Sequence, residues 1–131
     1  MTTQSHRFFQ VTPFLHVPDL AAALDMLVNV LQFEVRYREA NYAYLVWGPA
    51  ALRVLEERGR DRAVPGRDAR MTVYIDVQGV DALFEELRPR LDKLPRGDWV
   101  APGDKSYGQR ELHVRLPDGH WIAFGEPVKG N

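Results

Sequence analysis

Two periods of hydrophobic spacing run along the chain, and their order occurs twice. From Val11 to Val17 the alternation is two-residue: Pro13, Leu15 and Val17 share one face, Thr12, Phe14 and His16 the other, which predicts a strand. Pro18-Asp19 then signals a helix start with Asp19 as N-cap, and Leu20, Ala23, Leu24, Leu27, Val30 and Leu31 form an apolar stripe at helical spacing. Three further strands are predicted at Phe33–Arg38, Tyr42–Trp47 and Ala51–Glu56, broken near Glu39-Ala40-Asn41 and at Gly48-Pro49. On the middle one either Tyr42 and Tyr44 or Leu45 and Trp47 can face the same way as Phe14.

From Met71 the pattern restarts. Met71, Val73, Ile75 and Val77 alternate with Thr72, Tyr74 and Asp76, and a helix is predicted from Gly79 with Val80, Leu83, Phe84 and Leu87 as its buried stripe. Pro89, which lacks an N–H, is expected to end or kink it. Trp99-Val100 reads as a short strand, and the stretch from Tyr107 to Glu126 as a hairpin around the turn Pro117-Asp118-Gly119. Leu112, Val114 and Leu116 take one face of the incoming arm, Glu111, His113 and Arg115 the other; after the turn Ile122 and Phe124 alternate with Trp121 and Ala123. Leu15-x-Val17-x-x-Leu20 superposes on Ile75-x-Val77-x-x-Val80 at an offset of 60 residues, and Leu52-x-Val54-x-Glu56 matches Ile122-x-Phe124-x-Glu126. Two copies of strand–helix–strand–strand–strand place both helices on one side of a curved sheet, with the polar and aromatic strand faces lining a concavity.

Composition narrows the class. At 131 residues the chain is one ordinary domain, and 17 basic against 18 acidic residues leave a net charge of −1, which argues against a general nucleic-acid binder. The absence of cysteine excludes disulfides, thiolate catalysis and thiolate metal sites. No run reaches membrane-spanning length and the first ten residues lack the apolar core of a signal peptide, so a cytoplasmic protein is expected. Residues 1–10 read as an arm carrying Phe8 and Phe9. Residues 58–70, with five arginines and Pro65-Gly66, read as a solvated linker rather than an anion-binding loop.

The closing hairpin also carries a resemblance. Gly108-x-Arg110-Glu111-Leu112, Pro117-Asp118-Gly119-His120 and Phe124-Gly125-Glu126, in that order, resemble the C-terminal end of the glyoxalase/bleomycin-resistance/dioxygenase (vicinal oxygen chelate) superfamily, most closely its bleomycin-resistance-like branch. The chain departs at Leu116, where the family has aspartate, at Met26-Leu27, where it often has Phe-Tyr, and at Gln32, where it has glycine. The resemblance implies an α+β fold of two βαβββ modules in pseudo-twofold repeat forming a curved mixed sheet. It places a single domain at 11–127, with module 1 at about 11–57, the linker at 58–70 and module 2 at about 71–127. It also implies a homodimer, since the family commonly completes the cleft with a second chain.

Metal-dependent members carry histidine, glutamate or glutamine at four concave positions. Those positions fall here on Thr12, Arg53, Thr72 and Ala123, which makes a family-type metal centre and its cofactor chemistry unexpected. An unconventional set of His16, Asp76, Glu111 and His113 is conceivable, as is acid–base work by His16 opposite Asp76. No nucleophile motif, phosphate-binding glycine loop or dinucleotide fingerprint is present. The concave face instead offers aromatic surface with polar handles, and the expected ligand-binding set is Phe14, His16, Trp47, Arg53, Tyr74, Asp76, Glu111, His113 and Trp121. The reading is a metal-free protein that binds or sequesters a planar, antibiotic-like small molecule. A lyase, isomerase or dioxygenase of the same fold is the alternative.

Overall fold

A computed structural model describes residues 5–57 and 70–129. The arginine-rich segment expected as a linker lies outside them apart from Arg70. The order of elements is β1 (Phe14–Val17), α1 (Leu20–Leu24) with a π-helical continuation (Asp25–Val30), β2 (Glu34–Arg38), β3 (Tyr42–Trp47) and β4 (Ala50–Glu56). The second module follows as β5 (Thr72–Asp76), α2 (Val80–Leu91), β6 (Trp99–Asp104), β7 (Gln109–Arg115) and β8 (Trp121–Pro127). The chain is α+β with the expected repeat. Its eight strands divide into two four-stranded mixed sheets, ordered β1-β4-β3-β2 and β5-β8-β7-β6. In each, the first strand runs parallel to the last and the other pairs are antiparallel.

The predicted alternation fixes which face is inside. Leu15, Val17, Leu45, Leu52 and Val54 of the first sheet and Leu112, Val114, Ile122 and Phe124 of the second are buried in one common core. The helical stripe packs there too, through Leu20, Leu24, Leu27 and Leu31 and through Val80, Phe84, Leu87 and Leu91. Burying each such side chain is worth about 1.5–3 kcal/mol. Trp47 settles the parity of β3: it lies on the core side with Leu45, its ring 5.4 Å from Phe33 and 5.7 Å from Phe124 of the other module. Tyr42 and Tyr44 therefore share the outer face with Phe14. Because both sheets give their apolar sides to one core, their outer faces turn away from it and from each other.

The helix starts show the repeat at the level of single bonds. Glu56, at the end of β4, accepts the Leu20 N–H at the start of α1 (2.9 Å), and Glu126 of β8 accepts the Gly79 and Val80 N–H groups at the start of α2 (3.1 and 2.8 Å). Each module thus satisfies orphan donors of its own helix with its last strand. Asp19 adds the predicted cap, its side chain accepting from Ala22 N (3.1 Å).

Several local expectations are corrected. The first strand is shorter than Val11–Val17, because Pro13 has no N–H to donate and only its carbonyl joins the ladder, accepting from Arg53 N (2.9 Å). The second helix does not stop at Pro89. It continues to Leu91, which is wholly buried, and Asp92 N still reaches Arg88 O (2.9 Å). Trp99-Val100 is the start of a longer strand whose register shifts between Val100 and Gly103, around Pro102. At Gln32, where the family pattern calls for glycine, the backbone is left-handed (φ 69°). Its amide lies between Glu86 and Arg90 of α2 (2.6 Å to each), a bridge between modules that offsets the strained backbone.

Candidate functional site

The nine residues expected to bind ligand fall into three places. Phe14, His16 and Arg53 lie on the outer face of the first sheet. Glu111, His113 and Trp121 lie on the outer face of the second, with Tyr74 beside them on β5. Trp47, through its core-side position, meets the edge of β5 and lines a groove of about 630 Å³ together with Leu52, Val73, Ile75, Leu83 and Phe124. Tyr74 and Asp76 stand at the rim of that groove. Aliphatic and aromatic side chains make up most of its wall, and Tyr74, Asp76 and Gln78 supply its polar groups.

The first outer face is aromatic and cationic. Arg53 lies over the Tyr44 ring (4.8 Å to its centroid) and donates to the Tyr42 hydroxyl (2.5 Å). Phe14, 43% exposed, packs against His16 (4.9 Å) and Tyr42 (6.4 Å). The arm lies along this face: Gln10 Nε2 donates to Thr12 Oγ1 (2.8 Å) and the Tyr44 hydroxyl (3.1 Å). His16 does not meet Asp76. Its Nδ1 is in contact with Glu57 Oε1, while Asp76 is exposed on the other module, so the acid–base pair that the repeat symmetry made conceivable is not formed within the chain.

The second outer face is built around a buried carboxylate. Glu111 is 1% exposed and accepts the Tyr107 hydroxyl on both oxygens (2.7 and 2.8 Å) and His113 Nε2 on one (2.8 Å). Opposite it in the ladder is Gly125, where any Cβ would collide with the Tyr74 hydroxyl. That glycine lets Tyr74 lie across β8, where its hydroxyl donates to Gln109 Oε1 (3.1 Å) beside Glu111. Trp121 stands edge-on to His113, with ring centroids 6.4 Å apart. Burial pushes the Glu111 carboxyl up, but the hydrogen bonds of Tyr107, His113 and Tyr74 outweigh it and hold the group below its ordinary value. Burial and the neighbouring Glu111 push the Tyr74 phenol up to about 12. Hydrogen bonding to Glu111 likewise raises Tyr107.

The four positions that hold metal in related enzymes carry no ligand set. Thr12 is hydrogen-bonded to Gln10, Arg53 is a fixed cation, Thr72 is exposed, and Ala123 has no donor atom. Threonine and alanine offer a divalent cation no imidazole or carboxylate, and arginine repels it, so these residues do not fit one. Of the unconventional set, His16 lies on one sheet and Glu111 and His113 on the other.

Sequence reading passed over two functional-looking positions. Tyr107 was visible only as the residue before the hairpin, and its reach to Glu111 depends on the turn at Gly108 (φ 90°). His120 was visible only as the fourth histidine. It is 2% exposed, its Nδ1 accepts the Met71 N–H (3.1 Å) and its Nε2 donates to the His16 carbonyl (3.0 Å), tying the first strands of the two modules. Burial lowers its pKa, and Arg70 adds to that effect against the opposing pull of Asp118.

A model of the Glyoxalase/Bleomycin resistance protein/Dioxygenase superfamily matches residues 7–124. Comparison with curated proteins finds no match. Among solved structures, the bleomycin-binding protein of bleomycin-producing Streptomyces verticillus, complexed with copper(II)-bleomycin, is similar with a TM-score of 0.71 at 24% identity, covering 96% of this chain and 99% of that one. An antibiotic-binding protein from Streptomyces sp. CB03234 gives 0.66 at 18% identity, covering 94% and 100%. Lactoylglutathione lyase from Agrobacterium tumefaciens gives 0.65 at 17% identity, covering 89% and 92%. At these identities the structural likeness establishes the fold, which serves both binding proteins and an enzyme. Among the described residues no helix is long and apolar enough to cross a membrane.

Proposed function

The chain belongs to the Glyoxalase/Bleomycin resistance protein/Dioxygenase superfamily, and from that premise we propose that it is a metal-free, cytoplasmic binding protein that sequesters a planar aromatic, antibiotic-like molecule. The observation that carries the reading is the second outer face. A buried carboxylate, two phenols, an imidazole and an indole converge there on a solvent-facing sheet. Convergent polar groups beside flat aromatic walls are what orient and hold a small planar ligand.

The same reading makes the working unit a homodimer. A ligand on one open face is covered on one side only, whereas small-molecule sites usually bury ~70–90% of the ligand. Within a chain the two outer faces turn away from each other, so enclosure takes the first sheet of one protomer against the second sheet of its partner. Arg53 and the aromatic first face would then stand opposite Glu111 and Trp121. The exposed Phe8 and Phe9 of the arm are the apolar contacts available to such a pairing.

The test is a titration of tryptophan fluorescence with planar aromatic probes of either charge, proflavine as the cation and anilinonaphthalene sulfonate as the anion, run beside light scattering. Saturable binding that survives chelator and is weakened about tenfold or more by Trp121→Ala supports the reading. Binding that needs added metal, or that ignores Trp121, refutes it.

A further inference from the structure

A carboxylate kept from water is destabilising unless its partners repay the lost hydration. Glu111 has partners, but none is a fixed cation: Tyr107, Tyr74 and His113 surround it, and among the described residues no lysine or arginine pairs with it. Glutamine would fill the same space. What an ionised carboxylate adds is control over the histidine. Its oxygens only accept, so the proton of the 2.8 Å contact sits on His113 Nε2, and the lone pair is left on Nδ1. Nδ1 makes no hydrogen bond among the described residues, the ring is 25% exposed, and the Trp121 indole stands next to it. The tautomer is fixed, the basic nitrogen is open, and an aromatic wall lies beside it.

We propose that His113 and Glu111 form a general acid–base pair on this face, with His113 taking a proton from a planar carbon acid that lies against Trp121. Glu111 is the positioning residue: it orients the ring and stabilises the imidazolium that forms. The C–H proton moves to His113 Nδ1, and the C–H electron pair stays with the ligand, to shift a double bond or expel a leaving group. The proton then returns to the ligand or passes to water, so no metal or redox partner takes part. The proposal rests on the ligand-binding reading of the same face and adds turnover to it. It also replaces the His16–Asp76 pair that the repeat suggested with one the structure assembles.

The experiment uses 5-nitro-1,2-benzisoxazole, a flat carbon acid whose deprotonation breaks its N–O bond and releases a coloured phenolate. Binding is followed in parallel by tryptophan quenching. The full chain is expected to accelerate the reaction above free imidazole, and His113→Ala, or His113→Gln if the former melts early, to lower the rate about 100-fold or more. Glu111→Gln is expected to lower kcat about tenfold with KM nearly unchanged, because the ring is no longer held in the tautomer that leaves Nδ1 basic, and Glu111→Asp to recover part of that loss. A merely structural Glu111 would show no such split and no recovery. Trp121-dependent quenching without turnover overturns the acid–base pair and leaves the binding reading intact. Absence of both overturns the pair together with the site. Turnover that His113 variants do not change overturns it as well.

Discussion

The two modules are alike where they touch the core and unlike where they face solvent. Inside, Glu56 and Glu126 hold their helices in the same way, and Leu15, Val54, Ile75 and Phe124 occupy matching ladder positions. Outside, the first sheet presents Arg53 stacked on Tyr44, with Phe14 and Tyr42 around it, while the second presents Glu111 sunk among Tyr74, Tyr107 and His113. One outer face exposes a stacked arginine where the other sinks a carboxylate among its partners. The shared half is therefore what folding requires, and the divergent half is where function is to be sought.

The sharpest way to break that division is a pair of neighbours on β8. Ile122→Ala should destabilise the fold by about 2–5 kcal/mol as a core truncation. Trp121→Ala, one residue away on the outer face, should leave the melting temperature nearly unchanged. Melting curves of both variants decide it, and equal losses would mean that the outer face also carries the fold.

The link between modules comes next. His120→Ala strands the Met71 N–H and the His16 carbonyl, and should cost about 2–4 kcal/mol. Because the folded state holds His120 neutral with its pKa lowered from 6.5, its contribution is intact above that value and is lost as pH falls below it. Wild-type stability should therefore decline below about pH 6.5 with a component that His120→Gln removes. A curve equally steep in the variant would place the titrating group elsewhere.

At lower pH the two carboxylates should act together. Glu111 and Glu126 are both held below the ordinary 4.5, the second chiefly by the Val80 and Gly79 N–H groups. Their stabilisation is present above that value and is lost as pH falls through the depressed folded values. Glu126→Gln keeps an acceptor for the helix start but removes the charge, so acid unfolding monitored by circular dichroism should flatten. An unchanged acid limb would contradict the cap assignment.

The smallest expected effect lies at Gln32. Gln32→Ala keeps the left-handed backbone and loses the bridge to Glu86 and Arg90, and should destabilise by about 1 kcal/mol. Gln32→Gly relieves the backbone while losing the same bridge, and should be milder. If alanine and glycine melt together, the backbone at this residue stores no strain.

Much of this was legible in the sequence. Strict alternation set the faces of β7 and β8, and Leu112, Val114, Ile122 and Phe124 are buried as it requires, because a one-residue slip would expose Ile122 and Phe124; it gave no sign that Glu111 and Ala123 on the other face are buried as well. The repeat at offset 60 gave the topology. On β3 the alternation was symmetric in hydrophobicity, with tyrosines on one side and leucine and tryptophan on the other, so the sequence left its parity open; the structure packs Trp47 on Phe33 and Phe124 at the lining of the groove. The pairing of His16 failed for a different reason. Repeat symmetry relates positions within modules, but it does not bring them together when the two sheets turn their outer faces apart. Tyr107 and Gly125 were illegible because their roles depend on contacts across the ladder, the one reaching Glu111 and the other making room for Tyr74.

The central claim is that the second outer face binds a planar ligand without metal. It is tested most directly by titrating chelator-treated protein with proflavine, following tryptophan fluorescence in the wild type, Trp121→Ala and Trp47→Phe. The account predicts saturable quenching that falls about tenfold or more in Trp121→Ala and persists in Trp47→Phe. Quenching that survives in Trp121→Ala and disappears in Trp47→Phe would move the site to the groove between the modules and contradict the account.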